Sequence, residues 1–300
     1  MMHNIFIQLA EKQLAGLCSF KNSNNSLSVP IEKNNGTEKP TLLMLHGWQD
    51  NAASFDVLFA DLIKHYHVVA LDWPGHGLSE HRHSDNYYHF VDYIDDLHQV
   101  VELLSVQNLY LVGHSLGAII AGCYAAAFPE KVQGIVLIEG LTPLYETTDN
   151  AVLRLKQGIT SRQRYRQRNA TRPKRKMASF EEALNLRSVV NKLSKSDLYP
   201  LVERGTETDG EYWYWRHDER LRCDSLYRMA EEHAQALISQ IQCPALSIVG
   251  HSGFQQLQRK IPERTWFQQL KQVKVTGGHH CHIDSPNDVY RHILTFTQGF

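Results

Sequence analysis

No Cys-x-x-Cys pair occurs in the chain, and its five cysteines, Cys18, Cys123, Cys223, Cys243 and Cys281, are odd in number and scattered. That spacing argues against a disulfide framework and a structural zinc site, and it fits a reducing, cytoplasmic setting. Long apolar runs are missing as well: none approaches a membrane span, and the first twenty residues lack a positive segment followed by a continuous apolar one. Neither a span nor an export signal is expected. A formal net charge of −1 leaves no global bias toward nucleic acid or membrane, so no nucleic-acid partner is expected. One stretch lacks acids altogether. Residues 151–180 hold ten Lys and Arg and not a single Asp or Glu. The resulting positive field is either a solvated face or an attractor for an anionic substrate or an acidic surface.

What the chain does have is organised around residues 109–122. Leu109-Tyr110-Leu111-Val112 has the β-branched and aromatic character of a buried parallel strand, and a helical pattern starts at Leu116. Between them stands Gly113-His114-Ser115-Leu116-Gly117. So sharp a strand-to-helix turn crowds the backbone at Ser115, and glycine two residues before and after relieves it. The turn presents the Ser115 hydroxyl above the strand's carboxyl end, beside the free N–H groups of a helix start. Ser115 is therefore the candidate nucleophile.

The surrounding pattern alternates strands and helices. Residues 5–9 and 13–20 read as edge strands, with a loop after Phe20. Thr41-Leu42-Leu43-Met44-Leu45 reads as a strand buried on both faces and runs into His46-Gly47-Trp48, where the Trp48 N–H would face whatever Ser115 attacks. Ser54 is placed to cap a helix over residues 55–64. Val68-Val69-Ala70-Leu71 is a further strand, followed by a Gly- and Pro-rich turn from Asp72 to Ser79 that would wall the site. A helical stripe over 87–104, a strand over 132–138, strands at 243–250 and 273–275 and a closing helix over 287–296 complete the alternation. Residues 144 to about 236 break it with helical segments, including 180–193 behind Ser179 and Glu182. The expected fold is thus α/β, a mostly parallel doubly wound sheet with a helical cap inserted after the sixth strand. Its parts would be a core over 1–143 and 237–300 and a cap over 144–236, in which residues 212–215 either pack or line an acyl pocket.

A serine nucleophile needs a base, an orienting acid and two oxyanion donors. Residues 277–286 offer His279, His280 and His282 in one loop past the last strand, and all three compete for the role of base. Metal binding by this cluster is not expected, because the loop brings no obvious carboxylate partner. No cofactor is expected either.

The stretches LHGWQDNAASFD, ALDWPGHGLS, LVGHSLGAIIAG and GGHHCHIDSP resemble the α/β-hydrolase superfamily, most closely the serine hydrolase-like proteins within it. The resemblance covers residues 40–140 and 240–296. It implies that the catalytic histidine follows the glycines and stands seven residues before a proline, which selects His279 ahead of Pro286. It implies oxyanion donors at the backbone N–H groups of Trp48 and Leu116. For the acid, this chain departs from the common Gly-x-x-Asp pattern, since residues 250–255 contain no carboxylate. Another position known in the superfamily, the end of the preceding strand, holds Glu139, in the chain order nucleophile, acid, histidine. Asp72 is a weaker candidate acid. The resulting expectation is a carboxylic ester hydrolase that takes a small-molecule substrate through an acyl-enzyme. A carbon–carbon bond hydrolase with the same triad and a binding protein with a decayed site are the alternatives. Substrate and oligomeric state are left open.

Overall fold

A computed structural model describes residues 1–20, 26–27, 39–171, 174–255, 257 and 261–299. Eleven strands are named among them: β1 His3–Gln8, β2 Gln13–Cys18, β3 Ser26–Leu27, β4 Thr41–Leu45, β5 His67–Leu71, β6 Leu109–His114, β7 Gly134–Ile138, β8 Thr206–Thr208, β9 Trp213–Trp215, β10 Ala245–Gly250 and β11 Leu270–Val275. Nine form one sheet in the order β11-β10-β7-β6-β4-β5-β2-β1-β3. From β5 to β11 every neighbouring pair is parallel, while β2 runs antiparallel to β5 and to β1.

Side chains alternate across this sheet with the two-residue period of a strand, so each face has its own apolar layer. Leu43, Leu45, Leu111, Ile135 and Leu137 face the helices Asp92–Leu104 and Leu116–Ala127. Leu42, Met44, Val112, Val136 and Ile248 face the other way, toward Phe55, Leu58 and Leu62 and toward Val289, Ile293 and Phe296 of the closing helix Pro286–Gln298. Strands buried on both faces explain the uninterrupted apolar runs.

Several expectations need correction. The insertion follows the seventh strand in chain order, because the polar stretch after Phe20 includes the two-residue strand β3, parallel to β1. Most of the loop expected after Phe20 lies outside the described residues. Ser54 is not a cap: Asn51 accepts from the Ala53 N–H at 3.0 Å, a 3-10 turn Ala52–Phe55 follows, and the α-helix spans Asp56–Leu62. The predicted start at residue 87 is early by five residues, since that helix begins at Asp92.

Between β7 and β10 lie the helices Ala151–Thr171, Phe180–Asn191 and Lys195–Gly205, then an antiparallel pair, β8 and β9. Ser179 caps the second helix through the Glu182 N–H at 3.1 Å, while the Glu182 carboxylate takes the N–H of Ala178 at 2.7 Å. Met177, Leu184, Leu198, Leu201 and Val202 form a separate small core, with Trp213 and Trp215 packed against it. The helix Glu231–Ile238 packs Ala234 and Ile238 into the main sheet's core, so the boundary expected at residue 236 falls inside it. Among the described residues no helix is long and apolar enough to cross a membrane.

Register brings the carboxyl ends of the central strands together. Leu45 pairs with Gly113 and Gly113 with Leu137, and His114 pairs with Ile138, which pairs with Ile248. The residues that follow those ends therefore share one rim. The closest packing there is at Gly117, where a Cβ would collide with the Leu45 carbonyl, whereas a Cβ at Gly122 would make ordinary contacts with the Ile238 and Ile241 side chains at 3.6 and 3.9 Å. We expect Gly117→Ala to cost about 3 kcal/mol in a urea titration, the upper range for overpacking a rigid site. Gly122→Ala, mid-helix with room to spare, is expected to gain up to about 1 kcal/mol. Equal effects of the two would contradict the packing described.

Candidate active site

Ser115 sits between β6 and the helix Leu116–Ala127 at φ 51° and ψ −112°, a conformation that costs a non-glycine residue energy and must be held by its surroundings. Three glycines hold it. A Cβ at Gly113 would strike the Gly117 backbone, one at Gly117 the Leu45 carbonyl, and one at Gly140 the Ser115 carbonyl. Ser115 N–H donates to the Ile138 carbonyl at 2.8 Å, which pins the turn to β7. Leu116 is the first helical residue, so its N–H has no partner within the helix and lies at the positive end of the helix dipole.

The second backbone donor is set by His46. Trp73 N–H donates to His46 Nε2 at 2.9 Å, so the imidazole proton resides on Nδ1, which donates to the Gly47 carbonyl at 2.7 Å. Asp50 N–H donates to the same carbonyl at 3.1 Å. In a planar trans peptide the Trp48 N–H points opposite to that carbonyl, away from both partners. The Trp48 ring meanwhile donates from Nε1 to the Leu221 carbonyl of the insertion at 3.1 Å.

His279 and Glu139 meet at 3.3 Å, from Nδ1 to Oε2. Glu139 ends β7 at φ 49° and is buried. Its carboxylate is satisfied by the loop after β10: Gly250 N–H donates to Oε1 at 2.8 Å and Phe254 N–H to Oε2 at 3.0 Å. Hydrogen bonds to an ionised acceptor are worth about 1.5–3 kcal/mol each. Gly253 is the point of closest approach, since a Cβ there would run into the Glu139 carboxylate. The loop that lacks an acid thus supplies the donors that hold one. Burial pushes the His279 imidazole below its ordinary pKa, and the Glu139 carboxylate opposes that by favouring the charged ring. Phe254 stacks on it with ring centroids 3.9 Å apart.

Asp72 does other work. Its carboxylate accepts from Ala52 N–H at 2.7 Å, from Leu78 N–H at 2.8 Å and from Arg204 Nε at 2.9 Å. The Arg204 guanidinium thereby ties the insertion to the end of β5.

Sequence reasoning passed over Asp50. Its buried carboxylate accepts from Arg187 of the insertion through Oδ1, while Oδ2 lies 3.2 Å from His280 Nε2 and 3.5 Å from His114 Nδ1. Burial raises the Asp50 carboxyl, but the neighbouring His280 and His114 imidazoles and the charge of Arg187 outweigh it and hold it well below the usual carboxylate range. The signal was present in the quoted run after Trp48, but its partners lie far away in the chain. His282 is fully buried against the His114 and Phe55 rings, at centroid distances of 4.3 and 5.3 Å. Burial first, and then the neighbouring His114 and His280 imidazoles, push its pKa well below the ordinary value and favour the neutral ring.

The basic stretch is only partly solvated. Arg154 pairs with Glu146 at 2.9 Å, and the Arg162 guanidinium lies 3.9 Å from the centre of the Tyr87 ring. A surface cavity of about 560 Å³ is lined by Arg164, Arg168 and Arg222 with Tyr165 and Glu219. Neither Ser115 nor His279 lines it.

Comparison with known proteins agrees with this architecture. Residues 40–286 match the family described as alpha/beta hydrolase fold. A serine hydrolase-like protein of Danio rerio is 31% identical over 269 residues, covering 86% of this chain and 81% of that one. Another, from Dictyostelium discoideum, is 32% identical over 279 residues, covering 85% and 74%. The crystal structure of a hypothetical protein from Pseudomonas aeruginosa PAO1 aligns with a TM-score of 0.83 at 30% identity, over 99% of each chain. With the sheet order, the strained serine turn and these relatives in agreement, the chain belongs to the alpha/beta hydrolase family and is serine hydrolase-like.

Proposed function

We propose that this chain is a serine hydrolase that cleaves carboxylic esters through an acyl-enzyme on Ser115, with His279 as base and Glu139 as its orienting acid. The observation that carries the reading is the His279–Glu139 contact, with the carboxylate fixed by two backbone donors. A carboxylate can only accept, so His279 Nδ1 bears the proton and Nε2 is left bare as the base. In the first step Nε2 takes the Ser115 proton as Oγ adds to the ester carbonyl, and the oxyanion is received by the N–H groups of Trp48 and Leu116. Collapse expels the alcohol, which takes that proton from His279. Water, activated by the same nitrogen, then releases the acid and restores Ser115. Glu139 stabilises the imidazolium in both halves without itself accepting the proton. On this reading the segment between β7 and β10 is a cap: Arg187 and Arg204 fasten it to Asp50 and Asp72 at the strand ends, and its inner surface sets substrate shape.

A fluorophosphonate probe and a series of p-nitrophenyl esters of increasing chain length test the reading. Wild-type protein is expected to be labelled at Ser115 and to turn over at least one ester. Ser115→Ala and His279→Ala should each lose turnover by about 10³-fold or more with native circular dichroism, because members of such a site act as a unit. A folded wild-type protein that neither labels nor turns over any ester would support the decayed-site alternative.

Glu139→Gln separates an orienting acid from a packing residue. We expect kcat to fall by about 10³–10⁴-fold with little change in KM. The sign of the pH effect follows from the opposing influences on His279. Neutral His279 is the active form, so activity is lost as pH falls through its pKa, below the ordinary histidine value. Removing the Glu139 charge removes the upward influence and moves that acid limb to still lower pH. An unchanged limb with kcat within a few fold would reject the assignment. Asp72→Asn, by contrast, should lower stability by about 3 kcal/mol by leaving the buried Arg204 charge half paired, with kcat of the folded fraction nearly unchanged.

A further inference from the structure

The buried cluster of Asp50, His114 and His280 is more than a hydrogen-bonded knot. Its geometry sets groups of like character against one another. His114 Nε2 lies 2.8 Å from the backbone carbonyl of His279, and a carbonyl can only accept, so the His114 proton is on Nε2. The other nitrogen of the neutral ring, Nδ1, then presents a lone pair. Nδ1 is buried without a hydrogen-bond partner, and Asp50 Oδ2, itself an acceptor, lies 3.5 Å from it. His280 Nε2 has a related conflict. It lies 3.2 Å from Asp50 Oδ2 and 3.3 Å from the Asn191 amide nitrogen. If Nε2 carries a proton it faces the Asn191 N–H, and if it does not its lone pair faces the carboxylate. With the Asn191 amide nitrogen on this side, either tautomer leaves one contact mismatched.

A cation among the three acceptors relieves the opposition of both imidazole lone pairs to Asp50 Oδ2, and requires the Asn191 amide to turn its N–H away from Nε2. The three ligand atoms lie within 4.8 Å of one another. Zinc bonds of about 2.0–2.2 Å to nitrogen and oxygen in tetrahedral array put ligand atoms about 3.3–3.6 Å apart. The two separations to Asp50 Oδ2, 3.2 and 3.5 Å, already fall near that value, so only the two histidine nitrogens must draw together. His114 also has the outer partner expected of a metal-bound imidazole, donating its remote N–H to a backbone carbonyl. Arg187 engages Oδ1 and leaves Oδ2 to the histidines. The histidine loop contributes no carboxylate of its own to a metal site, but the fold supplies one from the turn after β4.

We propose that Asp50, His114 and His280 bind one divalent transition-metal ion of the zinc class through Oδ2, Nδ1 and Nε2. The donor set is borderline, two imidazoles and one carboxylate, and selects such an ion over magnesium or calcium. The site is distinct from the proposed catalytic pair but coupled to it. His280 follows His279 in the chain, and His114 holds the His279 carbonyl. An ion that pulls the two ring nitrogens together therefore acts on the backbone that carries His279.

Full-length protein dialysed against a chelator and then titrated with Zn²⁺ by calorimetry, and with Co²⁺ by visible absorption, tests the assignment without reference to hydrolysis. The expected result is one tight equivalent, an intense tetrahedral Co²⁺ spectrum, and no binding of Mg²⁺. Asp50→Asn and His280→Gln should each weaken that equivalent by tenfold or more. Should Asp50→Asn fail to fold, as loss of its Arg187 partnership could cause, His280→Gln carries the test, with native circular dichroism required. The proposal is overturned if no tight equivalent appears, if the Co²⁺ spectrum is that of an octahedral aquo ion, or if the folded His280→Gln protein binds as wild type does. The last outcome would place the ion on some other of the seventeen histidines. A protein that binds the ion but hydrolyses no ester would leave this site standing while removing the proposed activity.

Discussion

Strand becomes helix at Ser115 within a single residue, and the steric demand of that turn propagates through the centre of the molecule. The helix start can approach β4 only because Gly117 has no side chain to meet the Leu45 carbonyl. The approach in turn fixes where β4 may end, and so where the His46–Gly47–Trp48 turn begins. Gly140 repeats the requirement on the other side, beneath the Ser115 carbonyl. A close-packed interior transmits such constraints because it has no slack to absorb them. The positive φ at both Ser115 and Glu139 is then a product of one crowded rim, not of two unrelated strains.

Three carboxylates at the strand ends convert that rim into a fixed arrangement. Each is buried and each is matched by donors from another part of the chain: Asp50 by Arg187, Asp72 by Arg204 and two backbone N–H groups, Glu139 by the end of β10 and the loop after it. Burying a charge is expensive unless its partners are already in place, so these groups favour a single geometry in which each carboxylate meets its donors. Two of the three join the sheet to the inserted segment. The third joins it to the imidazole.

The features that could be read from the residues are those whose cause is local. Glycines around Ser115 announce a turn by sterics alone, and apolar runs announce strands buried on both faces. Helix ends were less legible where two cap-forming residues compete, as Asn51 and Ser54 do, because the choice depends on a 3-10 turn that local preference does not encode. Strand β3 was missed because two residues carry no periodicity. In the candidate site, Ser115 and the histidine loop stand out in the sequence, and the structure places Glu139 beside His279. The absence of an acid between residues 250 and 255 reads as a defect in the sequence, yet in the fold those residues are the cradle of Glu139. Asp50 was invisible as a centre because its partners, Arg187 and His280, are 137 and 230 residues away. Nothing near it in the chain indicates that a carboxylate is being surrounded by imidazoles.

Placing the carboxylate at the end of β7 also bears on the order in which the molecule can assemble. Ser115 and Glu139 belong to one strand–helix–strand unit, closed by the Ser115 to Ile138 hydrogen bond, whereas His279 lies 140 residues beyond Glu139. Contacts close in the chain form at small loop-closure cost, and those across such a distance wait for the intervening chain to be arranged. On the proposed mechanism, the last piece to arrive is the proton acceptor. A chain caught partway through folding would then hold a serine already bent into its strained turn with no imidazole beside it, and the proposed chemistry would stay silent until β10 and β11 have docked.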